Sequence, residues 1–369
     1  MFAQERLASL QTLVQRAALY VKRRAVTSLG MRLRENYHLD SPLVPPRTDV
    51  RRIGIHTEAQ AYTRSSLMNE GTDVTYSFQR RYIYELRDAT IDFLTGLVYD
   101  QRGKLIAESS AWQTNRLLCD IPQPRIRVPK YSLAGHFIFL ATTSNLYHWL
   151  LEDLPVFLRA LETSPQATVL YRPSAFRPLG DFLSLLGTHQ LQTASGRVRV
   201  EKLTLVAKSG GLGNPFGHNV AHPEDLYFVE KWFREHVPAT SQEQNQRVYL
   251  SRSRWKRATK EEPLLEAALS EAGFTVFHGD MSLFDQIALF SRATSIVGPA
   301  GSGLVNMLWM DTDSKVTELR DPGHRWAFYY DLAHMLGHDF SALDIPAGGW
   351  TAKSVEQTVA ALQLGTRAR

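Results

Sequence analysis

The stretch TSIVGPAGSGLVNMLWMDTDSKVTEL, residues 294–319, decides the fold. A short apolar run enters a Pro-Ala-Gly-Ser-Gly turn, an apolar run of helical length follows, and the turn Asp311-Thr312-Asp313 leads into a second β-type run, KVTEL. Strand, helix and strand in one direction is the unit of a parallel sheet. The unit recurs outward from there. Upstream lie RVYLS, a predicted helix over 260–272, FTVFH and a helix over 282–292; downstream comes a helix over 325–336. An earlier series runs HFIFLA, a helix over 145–162, ATVLYR, a helix over 174–187, KLTLVA and a helix over 222–236.

This alternation predicts an α/β protein with two doubly wound, Rossmann-like parallel sheets. They occupy 131–240 and 247–345, with the polar PATSQEQNQ at 238–246 as the seam and a C-terminal helix within 346–369. Residues 53–130 read as a small β-rich extension, because VTYSFQRRYIYEL alternates and a Gln-Arg-Gly turn splits GLVYDQRGKLIAES. Ligands of such sheets bind beyond the carboxyl ends of the strands, which directs attention to the loops there.

Composition narrows the class. With 369 residues, 44% hydrophobic and 21% charged, the chain is neither disordered nor a disulfide-stapled miniature. Its single cysteine, Cys119, cannot form an internal disulfide, and the beginning lacks a signal-peptide pattern, so a cytoplasmic location is expected. No run approaches the ~20 apolar residues of a membrane-spanning helix. The net charge of +5 is concentrated at one end: residues 1–34 hold seven Lys and Arg against Glu5 alone. Leu7, Leu10, Val14, Ala17, Ala18 and Val21 recur at helical spacing there, so 1–40 reads as a basic amphipathic helix. It either packs on its own domain or lies on the cytoplasmic face of the inner membrane as a peripheral contact. No aromatic interleaving points to nucleic acid.

Several segments carry chemistry. In 296–310, Gly301, Ser302 and Gly303 let the backbone approach a ligand at a helix N-terminus, which attracts phosphate, and Asn306 follows in the same segment. It is neither a Walker loop nor a dinucleotide fingerprint, the latter needing glycine at Asn306. YLSRSRWKR ends a strand in Arg252, Arg254, Lys256 and Arg257, and guanidinium groups suit phosphate oxygens. Glu318 stands at the end of KVTEL, either toward a ribose or paired with Arg320. In the 145–162 helix, Leu146, Tyr147, Leu150, Leu151, Leu154, Phe157, Leu158 and Leu161 fall on one half, predicting core. Asn145, His148, Trp149, Glu152 and Asp153 share the other, and Pro155 predicts a kink there. That half is either solvated or the place where His148, Glu152 or Asp153 serves as general base. Asp311-Thr312-Asp313 reads as a turn rather than a metal site, and His218 and His222 as acceptor contacts without metal-site spacing.

Together, NLYHWLLEDLP, RVYLSR with Arg257, GFTVF, MSLFDQIALFSRATSIVGPAGSGLVNMLWM and KVTEL resemble glycosyltransferase family 61, from about residue 80 to 320. Where the family commonly reads Gly-Pro-His-Gly-Ala-Gly this chain has Ala300 and Ser302, and where it has Asn-Glu this chain has Lys260-Glu261. The resemblance implies a GT-B fold with two domains facing a cleft and an inverting, metal-independent transfer. The sugar would pass from a nucleotide sugar, a UDP-sugar first, to a glycan or lipid-linked glycan in bacterial capsular or cell-surface polysaccharide synthesis. On that reading Asp153, His148 and Glu152 are the catalytic residues. Asn145, Trp149, Arg252, Arg257, Gly301, Ser302, Gly303, Asn306 and Glu318 bind substrate, and no cofactor or metal is expected. The alternatives are a non-catalytic nucleotide- or glycan-binding subunit and a nucleotide-sugar epimerase of the same architecture.

Overall fold

The computed structural model describes residues 49–65, 73–78, 80–109, 126–141, 145–208, 221–238, 245–255, 258–321 and 327–364. The basic segment 1–40, Cys119, His218, Lys256 and Arg257 lie outside the described residues. The chain opens with β1 (Val50–Thr57), β2 (Gln60–Arg64), β3 (Val74–Phe78), β4 (Arg81–Asp92) and β5 (Leu97–Tyr99). There follow β6 (Ser132–Leu140), the composite helix α1 (Leu146–His148, Trp149–Asp153 and Leu154–Thr163), β7 (Thr168–Tyr171), α2 (Arg177–Leu185), β8 (Leu191–Thr193), β9 (Arg197–Val206) and α3 (Pro223–His236). The second series is β10 (Gln246–Leu250), α4 (Glu262–Glu271), β11 (Thr275–Phe277), α5 (Leu283–Phe290), β12 (Ala293–Pro299), a 3₁₀ helix Ser302–Trp309, β13 (Lys315–Arg320), α6 (Phe328–Met335), β14 (Asp339–Asp344) and α7 (Ala352–Leu364).

The second sheet is parallel throughout, in the order β11-β10-β12-β13-β14. Numbered within the sheet this is 2-1-3-4-5, the flavodoxin-like winding, whose direction reverses between its first and third strands. In sheets of this winding a crevice opens beyond the carboxyl ends of the strands on either side of the reversal, here β10 and β12. Glycine is needed beneath it: a Cβ on Gly298 would sit 2.6 Å from that of Leu250 on the neighbouring strand.

The first sheet departs from the expected all-parallel arrangement. Its order is β1-β4-β9-β6-β7-β8, with β5 on β4; β6, β7, β8 and β9 are parallel, whereas β1, β4 and β5 pair antiparallel. The β-rich stretch is thus sewn into this sheet, since β4 lies against β9 from Ile83↔Val206 to Asp92↔Arg197. The winding reverses beside β6, which has β7 on one side and β9 on the other.

The largest apolar core is continuous across both sheets. It runs from Ile138, Leu150 and Phe157 through Phe182 and Phe233 to Leu250, Leu289 and Leu308. Polar ties cross the same boundary. Tyr76 donates to Asp331 at 2.8 Å and Tyr62 meets the ring of His334 at 2.6 Å, joining the β2–β3 hairpin to α6. Asp181 of α2 accepts the Leu283 N–H that opens α5, at 2.7 Å. No helix of the described residues is long and apolar enough to cross a membrane.

Gly298→Val should cost about 1–3 kcal/mol in urea unfolding, because the added carbons overpack the β10–β12 contact. Gly303→Ala, whose methyl group meets Leu250 at 3.7 Å, should cost under about 1 kcal/mol.

Candidate functional site

Beyond β10, the pairing with β11 continues for one residue through Ser251 N–H to Phe277 O at 2.9 Å, and Arg252 follows. Glu262, wholly buried at the start of α4, accepts from the Arg252 N–H at 2.6 Å, the Tyr249 hydroxyl at 3.0 Å and the Thr259 N–H at 3.1 Å. Burial and that carboxylate push the Tyr249 phenol far up, so it stays protonated and donates. The Arg252 guanidinium crosses to the next loop and donates to the Ala300 carbonyl. This guanidinium lies where a Cβ on Gly301 would be, so a side chain there would have to displace it.

Gly301, Ser302 and Gly303 are half-buried at the start of the 302–309 helix, whose first N–H groups point out of its end. Phosphate chemistry is what such an end and a guanidinium favour together. Two expected contacts fall elsewhere. Asn306 is buried below the loop, donating to the Gly303 carbonyl at 3.0 Å and to Gln286 at 3.4 Å, so it braces the turn. Glu318, opposite Gly298 in the sheet register, is 0% exposed and 3.6 Å from Arg320, so it presents no oxygen to a ribose. Burial pushes its carboxyl up to about 7, against the pull of Arg320 and Arg252.

At the other reversal, α1 begins just past β6. Asn145 caps it by accepting the Tyr147 N–H at 3.0 Å, which is a structural role. Residues Trp149–Asp153 form a π-helical turn, closed by the Leu154 N–H to the Trp149 carbonyl. Pro155 explains the widening: it has no N–H and its ring crowds the carbonyl four residues back. The expected kink is thus realised as a π turn. Trp149 departs from its expected place on the binding face. It is 0% exposed, met edge-on by Phe176 and Phe182, and presents no face to a ligand.

The π turn gathers the ionisable groups. His148 Nδ1 and Glu152 Oε1 are 2.5 Å apart, and Lys208, two residues past β9, meets Asp153 Oδ1 at 2.5 Å. All four side chains are buried. Burial raises the Asp153 carboxyl, while Lys208 pulls it down. An ionised Glu152 only accepts, which assigns the proton of this contact to Nδ1 of His148. Elsewhere Arg81 donates to Asp225 at 2.8 Å and His56 lies 3.1 Å from the same carboxylate; burial pushes that carboxyl up, but Arg81 and His56 outweigh it and hold it well below its ordinary range. His222, expected as an acceptor contact, is the buried cap of α3, accepting the Glu224 N–H at 3.3 Å.

The two places adjoin. The first turn of α1 packs on the 302–309 helix, and Tyr147 meets the rings of Phe328 and Tyr329. Among the described residues no group of three or more His, Cys, Asp and Glu side chains is set to hold a metal ion. Asp311 to Asp313 form the turn ahead of β13, at the opposite end of the sheet. Lys208 and Glu262 escaped the sequence reading. Thr259-Lys-Glu-Glu262 does carry the Thr-x-x-Glu spacing in which a glutamate reaches back to a backbone N–H.

Residues 146–317, from the start of α1 into β13, match the family Glycosyltransferase 61. The matched part holds His148, Glu152, Asp153, Lys208, Arg252, Glu262 and the Gly301–Gly303 turn. No curated protein matches the chain. Among solved structures, a mutant flavo di-iron protein from Thermotoga maritima aligns with 84% of this chain and 100% of its own at 10% identity and a TM-score of 0.26, too low to bear on fold or function.

Because the Glu318 carboxyl titrates higher folded than unfolded, the native state keeps its proton longer, and stability falls as pH rises from about 4.5 to about 7. Glu318→Gln should remove that decline, gaining a few kcal/mol over wild type at pH 8 and little at pH 4.5, read by urea unfolding. Lys208→Met should cost about 3–5 kcal/mol by stranding a buried charge, and adding Asp153→Asn should recover most of the loss.

Proposed function

We propose that this protein transfers a sugar from a nucleotide sugar, a UDP-sugar first, to a hydroxyl of a glycan or lipid-linked glycan, with inversion at the anomeric carbon. The reading is carried by Arg252, which lies across the glycine turn at the β10–β12 reversal beside a helix N-terminus. A diphosphate seated there meets one guanidinium and the amides of Gly301 to Gly303. The acceptor lies against the first turn of α1. His148 Nε2 takes the proton of the acceptor hydroxyl while that oxygen bonds to the anomeric carbon. The bond from this carbon to the diphosphate oxygen breaks on the opposite face, and the diphosphate leaves with the electron pair. Glu152 holds the imidazole and stabilises it once protonated. Asp153, tied to Lys208, sets the field around the pair. Charge growing on the leaving diphosphate is met by protein donors, so the step runs with divalent cations removed.

Synthesis of capsular or other cell-surface polysaccharide at the cytoplasmic side of the inner membrane is the setting we infer, from the resemblance and the basic segment 1–40. A panel of nucleotide sugars read by thermal shift with EDTA present should pick out one donor. About 2.7 kcal/mol of stabilisation is expected at a hundredfold excess over Kd. His148→Ala should lower turnover by about a hundredfold or more with donor binding unchanged. Donor binding without any transfer, in wild type, would instead mark a binding subunit, and release of an altered donor without acceptor an epimerase.

A further inference from the structure

We propose that Trp255 is the platform on which the base of the nucleotide donor stacks, so that the donor lies with its nucleoside toward β11 and its sugar away from it. This rests on the donor reading above. Trp255 is 55% exposed, the largest side chain among the exposed hydrophobics of the described residues, yet it is held on two sides. Its indole N–H donates to the His278 carbonyl at 2.8 Å. Its ring also lies against Gly279, where a Cβ would stand 3.4 Å from the nearest indole atom and where φ is +77°. The left-handed backbone favours glycine at 279, and the indole rests at contact distance from it.

The loop beneath it is pinned as well. Trp255 N–H closes a turn on the Arg252 carbonyl at 2.8 Å, and Arg254 pairs with Asp280 at 2.8 Å. The remaining surface of the ring is a preformed apolar face, and ordering it for a ligand costs little rotamer entropy.

Its place relative to Arg252 identifies the ligand. From one turn, the Arg252 side chain runs toward the β12 loop and the Trp255 side chain toward the β11 loop. These strands flank β10 and so are about 10 Å apart. That span separates a nucleobase from the far phosphate of its diphosphate, with the ribose between. The β13 side offers no equivalent, because Glu318 is wholly buried. Stacking uses the π face common to all bases, so Trp255 supplies affinity more than base identity.

Calorimetric titration of UDP, CDP, GDP and inorganic pyrophosphate into wild type, Trp255→Phe and Trp255→Ala tests this. For whichever nucleotide the wild type binds, Trp255→Ala should weaken it by about fivefold or more, and Trp255→Phe should restore most of the loss. Pyrophosphate affinity should be the same in all three. Quenching of tryptophan emission by that nucleotide should be largest in wild type and much reduced in Trp255→Phe. Equal nucleotide affinity in wild type and Trp255→Ala, or equal weakening of pyrophosphate, would overturn the assignment while leaving the donor reading in place. A wild type that binds neither nucleotide nor pyrophosphate would overturn both.

Discussion

A buried carboxylate, Glu262, fixes the loop on which the proposed donor site depends. A charge taken from water is tolerated only when its lone pairs are filled, and here two backbone N–H groups and a phenol fill them. The first turn of α4 adds the positive end of a helix. The consequences run outward in order. With its N–H held, Arg252 has one start from which to cross the sheet edge, and its guanidinium reaches the Ala300 carbonyl beside Gly301. The same turn sends Trp255 the other way, onto His278 and Gly279. One side chain thus sets a cation and an aromatic face on either side of the point where the sheet's winding reverses.

On the other sheet a proline has a comparable reach. Pro155 removes one backbone donor, the helix widens into a π turn, and Glu152 and Asp153 fall within reach of His148 and Lys208. Burying two such pairs brings little net stability, since the lost hydration offsets most of the attraction. What the pairs supply is placement: an imidazole held by a carboxylate, and a carboxylate held by an ammonium one strand away. The continuous core beneath both sheets keeps these groups at fixed spacing, and the contact of α1 with the 302–309 helix places the two proposed halves of the site side by side.

Period and turn chemistry made the alternation legible from RVYLS to KVTEL, because each strand there is an apolar run bounded by a turn, and each helix has one apolar face. Some edge strands escaped. β8 and β14 are mostly exposed edge segments, LQT and DFSALD, with too little apolar alternation to stand out. The mixed character of the first sheet was also hidden, since pairing of β4 with β9 joins residues more than a hundred positions apart. Within α1, spacing set His148, Glu152 and Asp153 apart from the apolar half, and the structure gathers them as paired, buried groups. Trp149, on the same half by spacing, is instead enclosed by Phe176 and Phe182, which the sequence pattern does not reveal. Asn306 and Glu318 share another cause: periodicity tells which face a residue occupies but not whether a loop or a neighbouring strand covers it. Lys208 became meaningful only when β9 was laid beside β6.

The most direct test of the donor site is the affinity of inorganic pyrophosphate for wild type and for Arg252→Gln, measured by calorimetry with EDTA present. A guanidinium that contacts the diphosphate predicts a loss of about tenfold or more, the scale of one charged hydrogen bond, with the unfolding midpoint nearly unchanged. Equal affinity in the two proteins would contradict the account, because the phosphate would then lie somewhere other than the β10–β12 crevice.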